Sequence, residues 1–298
     1  MEKKPRVLVL LTTYNGEKFL KEQLDSIFAQ KDVDVSVMVS DDISTDNTVG
    51  ILKEYAEKYP LKYRVNETNK NFTYNFLDLI YDNKDADYDY FALSDQDDFW
   101  LEDKLISGIN LLKENGKHFY CSNLTVTDEK LTPLHPMNKF KVKDDRAAPY
   151  ILENICTGCT AMFDKDFMVH LGKHYPNNIY LHDYWLMLVA AFSSSYVYDQ
   201  NSHILYRQHG DNQIGSNQET LASYHKKFKT SKSHRHNLCA ELLAGYSDDI
   251  SEENKKYLND FLAYRNKFGI KMRIFFSGKY KTKTHPFLRK VKLLLNKY

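Results

Sequence analysis

The run Val7-Leu8-Val9-Leu10-Leu11 contains no polar residue, and this constrains the fold more than any other stretch. A strand with one wet face alternates apolar and polar side chains; a strand without that alternation is covered on both faces. Covering both faces takes helices on either side of a largely parallel sheet, which makes the chain an α/β protein with right-handed crossovers. The following residues supply those elements. From Glu17 to Gln30, Phe19, Leu20, Leu24, Ile27 and Phe28 recur at helical spacing. Val33–Ser40 reads as a second strand, Thr48–Lys58 as a helix with Ile51, Leu52 and Tyr55 inward, and Tyr63–Val65 as a short third strand. A helix near Thr73–Tyr81 then leads to a fourth strand, Tyr88–Leu93.

Polar segments follow three of these strands: Thr12-Thr13-Tyr14-Asn15, Asp41-Asp42, and Asp95-Gln96-Asp97-Asp98. In open α/β sheets ligands bind beyond the carboxyl ends of the strands, so all three segments are expected at one edge. Asp95, Asp97 and Asp98 repel one another unless a divalent ion or strong hydrogen bonds offset the charge, and oxygen ligands select hard ions such as Mg²⁺ or Mn²⁺. A plainer reading is a solvated acidic turn that caps a helix beginning near Glu102. Three polar segments at one edge favour a nucleotide and metal site. The chain has neither a GxxxxGK[ST] nor a GxGxxG loop, so phosphate charge falls to metal and side chains.

At this point the residues resemble the family 2 inverting glycosyltransferases of GT-A fold, a mixed sheet flanked by helices. The resemblance rests on Leu10-Leu11-Thr12-Thr13-Tyr14-Asn15-Gly16, on Val39-Ser40-Asp41-Asp42-Ile43-Ser44-Thr45-Asp46, and on Ser94-Asp95-Gln96-Asp97-Asp98-Phe99-Trp100 followed by Asp103-Lys104-Leu105. It covers roughly residues 5–215, and with Tyr206-Arg207-Gln208-His209-Gly210 it is most similar to the rhamnosyltransferase branch. The resemblance implies that Thr12, Tyr14 and Asp42 hold the base and ribose of a nucleoside diphosphate sugar. It further implies that Asp95 touches the ribose or the metal shell, that Asp97 binds Mn²⁺ or Mg²⁺, and that Asp98 is a neighbour. Because three acids occupy the motif, the direct ligand stays open by one position.

The second half of the chain adds candidates. A strand-like stretch at Phe119–Val126 precedes a polar, irregular connection, Thr127–Ala148. Thr157, Gly158 and Cys159 lie in a region that the family sets beside the donor sugar and acceptor, although small residues also serve to pack strands closely. In Tyr180-Leu181-His182-Asp183-Tyr184-Trp185, ahead of an apolar helix, Asp183 is the candidate base for inverting transfer, with helix capping as its alternative. His182 and Trp185 are acceptor-side candidates. After the strand Val197–Leu205, Arg207 is a candidate contact to the donor diphosphate and His209 to the diphosphate or the metal.

Charge divides the chain. Residues 219–298 hold 18 Lys/Arg against 7 Asp/Glu, and residues 264–298 hold 11 Lys/Arg and no acid. After Pro286, Phe287, Leu288, Val291, Leu294, Leu295 and Tyr298 repeat opposite Arg289, Lys290, Lys292 and Lys297, a cationic amphipathic helix. It suits an anionic membrane surface or packing on the protein. No recognised motif accompanies the charge to suggest nucleic acid. There is no apolar run of about 18 residues, and Met1–Pro5 leads into a strand rather than a signal segment, so a cytoplasmic protein, peripheral at the inner membrane face, is expected. Four cysteines suit a reducing compartment, with Cys156 and Cys159 expected as buried thiols.

The expected organisation is a GT-A domain over residues 1–215 and a helical basic extension over 216–298, with oligomeric state left open. The expected reaction is metal-dependent, inverting transfer from dTDP-rhamnose or a UDP-sugar to a glycan or lipid-linked acceptor in bacterial surface polysaccharide synthesis. Its rivals are a nucleotidyltransferase, which lacks its basic NTP-gripping loop here, and a non-catalytic sugar-nucleotide-binding membrane scaffold.

Overall fold

The computed structural model describes residues 3–139, 142, 146–193, 195–210, 234–283 and 286–297. They fall into two compact units that interleave along the chain. The first comprises Met1–Lys139, Cys156–Gly172 and Tyr196–Gln213; the second comprises Phe140–Ile155, Lys173–Ser195 and Ile214–Tyr298. The division expected between residues 215 and 216 lies outside the described residues.

The first unit carries the whole sheet. Its strands are β1 (Arg6–Thr13), β2 (Asp34–Asp41), β3 (Leu61–Val65), β4 (Tyr90–Ser94), β5 (Phe99–Trp100), β6 (Phe119–Thr127), β7 (Pro133–Pro136), β8 (Met162–Asp164) and β9 (Tyr196–Arg207). The order is β3-β2-β1-β4-β8-β6-β9-β5, with β7 paired to β6. Val7, Val9, Leu10 and Leu11 of β1 are fully buried, as an unbroken apolar run requires. The helices α1 (Leu20–Phe28), α2 (Thr48–Ala56), α3 (Asn71–Asp82), α4 (Lys104–Asn115) and α5 (Lys165–Leu171) complete the unit. Leu20, Leu24, Ile27, Ile51 and Leu52 join β1 and β2 in one apolar cluster.

Several boundaries differ from expectation for local reasons. Helix α1 starts at Leu20 rather than Glu17, and the Glu17 amide donates to Asp46 Oδ2 (3.0 Å), which ties the preceding turn to the next loop. The connection after β6 contains the exposed strand β7, whose flanking prolines mask it in sequence; an edge strand tolerates them. Helix α4 starts at Lys104, and the Asp103 side chain makes no cap hydrogen bond; it faces His203 Nδ1 at 3.2 Å instead.

Strand directions decide which chain ends meet. Strands β1, β2 and β4 are parallel, β4 and β6 are both antiparallel to β8, and β6 is parallel to β9. The two reversals cancel, so β9 runs the same way as β1. Thr13, Asp41, Ser94 and Arg207 therefore end strands at one edge.

The second unit is helical: α6 (His182–Phe192), α7 (His234–Tyr246), α8 (Glu252–Ala263), α9 (Phe268–Phe276) and α10 (Pro286–Leu294). Helix α6 is apolar all round, with Trp185 through Phe192 buried. No helix among the described residues is long and apolar enough to cross a membrane.

Candidate active site

At the carboxyl edge the first two polar loops are cross-tied. Thr13 Oγ1 donates to Asp41 Oδ2 at 2.7 Å, and Asp41 also accepts from the Ser44 amide at 2.8 Å. The Asn15 amide donates to Ser44 Oγ (2.9 Å), while Asn15 Oδ1 accepts from the Thr45 amide (2.8 Å). Asp42 is 4% exposed and accepts from Asn66 Nδ2 at 3.0 Å and the Lys70 amide at 2.9 Å. These bonds fix Ile43 at φ 64°, a left-handed conformation unusual for a β-branched residue, and leave its side chain 37% exposed. Tyr14, 44% exposed, stands on the neighbouring loop. Sequence reading selected Thr12, Tyr14 and Asp42; it passed over Asp41, which holds the loop, and Ile43.

The acidic turn is clamped to the Tyr14 loop by the residue between its acids. Gln96 Oε1 accepts from the Tyr14 amide at 2.8 Å, and Gln96 Nε2 donates to the Tyr14 carbonyl at 3.0 Å. Gly16 leaves the room this needs, since a Cβ there would lie 2.4 Å from Gln96 Oε1. Below the turn, Gln23 Nε2 donates to buried Ser94 Oγ at 2.9 Å.

The three aspartates occupy different surroundings. Asp97 Oδ2 lies 2.8 Å from His209 Nε2, and both side chains keep some exposure. The sheet thus brings together these two candidates from positions 112 residues apart. The His209 ring packs against Phe19, centroids 4.9 Å apart. Asp95 is partly buried at the start of the turn. Asp98 is fully buried and accepts from the Arg207 amide at 3.2 Å, whereas its Oδ2 has no hydrogen-bond partner among the described residues. Burial, and then the charges of Asp97 and Asp95, push its carboxyl well above the usual carboxylate range.

Behind Asp98 stand two further buried groups. Cys159 is 0% exposed, and burial pushes its thiol up, so it is held protonated. Lys104 is 2% exposed, its Nζ lies 3.6 Å from the Trp100 ring centroid without a hydrogen-bond partner among the described residues, and burial lowers it to about 7. Cys159 was expected on the acceptor side; it packs into the core with buried Gly158 instead. All four cysteines are free and buried, as expected.

Arg207 was expected to face a diphosphate. It is 3% exposed, and its guanidinium is engaged within the protein: Nε donates to the Asp97 carbonyl at 2.9 Å, and the terminal nitrogens donate to the Glu129 carbonyl and the Glu22 carboxylate. It also stacks on Phe19, 4.5 Å from the ring centroid. Arg207 braces the turn that presents Asp97. Glu22 escaped sequence reading because it carries no motif signal.

In the second unit, Asp183 lies half-buried in the first turn of α6, two residues after the N-cap position Leu181. The two residues expected beside it on the acceptor side are core residues. His182 is 5% exposed, with burial lowering it to about 3, and Trp185 is fully buried near Tyr246, ring centroids 5.9 Å apart.

The donor set at the edge fits a divalent cation. Asp97 Oδ2 and His209 Nε2, 2.8 Å apart, offer a hard oxygen and an imidazole nitrogen, and among the described residues Asp95, Asp98 and Cys159 bring three further ligand atoms close enough together to share one ion.

Residues 8–172 match the family described as glycosyl transferase family 2. The dTDP-rhamnosyl transferase RfbG of Shigella flexneri is 36% identical over 228 residues, covering 72% of this chain and 76% of that protein. Among solved structures, S. aureus TarS 1-349 in complex with UDP-GlcNAc aligns with a TM-score of 0.58 at 16% identity, over 98% of this chain and 80% of that one. The mannosyltransferase PcManGT from Pyrobaculum calidifontis, in complex with GDP-Man and Mn²⁺, aligns with a TM-score of 0.56 at 16% identity, over 99% and 80%. Identities this low speak for a common fold alone.

Proposed function

The chain belongs to glycosyl transferase family 2 and has the GT-A fold, and from that premise we propose that it transfers rhamnose from dTDP-rhamnose, with inversion, to a glycan or lipid-linked acceptor. Bacterial surface polysaccharide synthesis is the setting of this reading. The observation that carries it is the convergence of Asp97 and His209 at the carboxyl edge, 2.8 Å apart. The choice of donor is supported by the likeness to the Shigella flexneri dTDP-rhamnosyl transferase.

Each residue in this reading has a stated task. Tyr14 and Thr12 line the base and ribose side, and Asp42 contributes through the loop that its carboxylate holds in place. Asp97 and His209 hold Mn²⁺ or Mg²⁺, with Asp95 beside them. Such a cation, when bound, neutralises diphosphate charge and stabilises the leaving group. Arg207 keeps the Asp97 backbone in position through its bond to the Asp97 carbonyl. Asp183 takes the proton of the acceptor hydroxyl while that oxygen bonds to the anomeric carbon, and the bond from that carbon to the diphosphate breaks on the opposite face. No covalent sugar–enzyme intermediate is involved.

A donor screen tests the reading. The chain is incubated with dTDP-rhamnose, UDP-glucose, UDP-galactose or UDP-N-acetylglucosamine, with and without Mn²⁺, and nucleoside diphosphate release is measured. Release of dTDP from the first donor only, and only with the cation, is expected. Binding without turnover of any donor would instead favour a scaffold, and pyrophosphate release from an NTP a nucleotidyltransferase.

A further inference from the structure

Among the described residues, the three most exposed large apolar side chains are Phe287 at 80%, Phe268 at 76% and Phe276 at 73%. All three stand on the last two helices, α9 and α10. These helices lie in the stretch 264–298, with its 11 Lys/Arg and no acid. Leaving one phenylalanine in water is ordinary; leaving three within a uniformly cationic segment marks a surface that is covered in use.

Helix α10 is not a loose tail. Its inner side is anchored by Leu293, 2% exposed, and by Arg289, which donates to the Leu152 carbonyl and lies 3.4 Å from the buried Glu153 carboxylate. That anchorage sets which face stays outward. Phe287 and Leu294 are seven residues apart, hence on one side of the helix, and Leu294 and Leu295 are 38% and 53% exposed. Helix α9 packs beside α10: Lys290 Nζ lies 5.3 Å from the Phe275 ring centroid, and Lys271 Nζ is 3.5 Å from the Leu294 carbonyl. Sequence periodicity pointed only to the segment after Pro286; the structure adds Phe268 and Phe276 from the preceding helix.

We propose that the α9–α10 pair is a docking surface for an anionic lipid bilayer. Phosphate headgroups complement the lysines, and the acyl boundary takes up the phenylalanines, so one partner satisfies both halves of the surface. A second copy of this chain would bring cations against cations. Nucleic acid would meet the charge, but Phe268, Phe276 and Phe287 sit at or near helix ends rather than in a groove along which bases stack. The inference does not depend on which donor the enzyme uses.

The test is co-sedimentation of the full chain with vesicles of phosphatidylglycerol and phosphatidylcholine against vesicles of phosphatidylcholine alone. Point substitutions are used because removing α10 would strip the anchor from Glu153. Binding to the anionic vesicles is expected, weakened by high salt and not displaced by inorganic phosphate at matched ionic strength. Phe268→Ser, Phe276→Ser and Phe287→Ser should each weaken it by roughly tenfold, and together abolish it with the melting temperature unchanged. Equal binding to neutral vesicles, wild-type binding by the triple variant, or no effect of Phe268→Ser would overturn the proposal. So would duplex DNA binding as tight as that to vesicles, or a dimer in solution that the same three substitutions dissolve.

Discussion

Charge is concentrated twice in this chain, with opposite sign and opposite treatment. In the acidic turn after β4 each carboxylate has its own surroundings: Asp97 meets His209, and Asp98 is buried with the Arg207 amide on one oxygen. The cation nearest in sequence to the acids, Lys104, is hidden behind them. The basic helices α9 and α10 leave Phe268, Phe276 and Phe287 in water, with Lys271, Lys290 and Lys292 half-buried beside them. The turn is preorganised, with its electrostatic cost offset during folding by the His209 contact and the Arg207 amide. The helices pair part of their charge internally, Arg273 with Asp260 and Arg289 with Glu153, and leave the apolar part uncovered.

The largest expected effect tests the turn's front. Asp97→Ala should lower transfer by at least about a hundredfold, as loss of a metal ligand does, while the melting curve stays close to wild type. Asp183→Asn should lower it by roughly 10²–10⁴ through loss of general base catalysis, with donor binding retained in calorimetry. If either variant turned over at the wild-type rate, the role assigned to that residue would fall.

Next comes the brace. Arg207→Met should cost roughly 3 kcal/mol in urea denaturation, because it removes a buried cation from Glu22 and orphans the Asp97 and Glu129 carbonyls. A variant as stable as wild type would show that the turn does not need its buried brace.

The turn's back gives a prediction of the opposite sign. Lys104→Met should stabilise the protein at neutral pH by roughly 1–3 kcal/mol, since it replaces a buried amine without a hydrogen-bond partner among the described residues by a side chain of similar length. Burial lowers Lys104 from 10.5 to about 7, so between those values the unfolded chain binds more protons than the folded one. Wild-type stability should therefore gain from this group as pH rises across that window, and Lys104→Met should remove that gain in melting curves taken at several pH values.

The smallest effect concerns His203, which the hydrogen bond to Asp199 and, further, contact with Asp103 raise above its ordinary value. Its contribution is complete below about 6.5 and is lost as pH climbs through the folded value. His203→Gln should cost about 1 kcal/mol at mildly acidic pH, and the difference from wild type should close at alkaline pH.

Much of the edge was readable because its signals are local. An unbroken apolar run makes a two-sided strand, and a polar segment directly after such a strand lies at the carboxyl edge of the sheet, so the placement of Thr12, Asp42, Asp95 and Asp97 at that edge was legible from order, whereas their roles rest on the family resemblance. The return of β9 to that edge depends on two antiparallel steps through β8, a strand of three residues that periodicity does not detect. Cys159, His182 and Trp185 were misread for a related reason: small, aromatic and apolar residues line pockets and fill cores alike, and only burial separates the two. Arg207 looked like a ligand clamp because its partner Glu22 lies 185 residues away.

Gln96 carries a consequence beyond its two hydrogen bonds. Its primary amide pairs with the Tyr14 peptide as a second backbone strand would, one donor and one acceptor in register, and so makes the acidic turn and the Tyr14 loop a single mechanical part. Glutamate has nearly the same shape but only acceptors when ionised, so it would set an oxygen against the Tyr14 carbonyl and turn the latch into a repulsion. A turn that accommodates acids at 95, 97 and 98 therefore has no place for a fourth at 96.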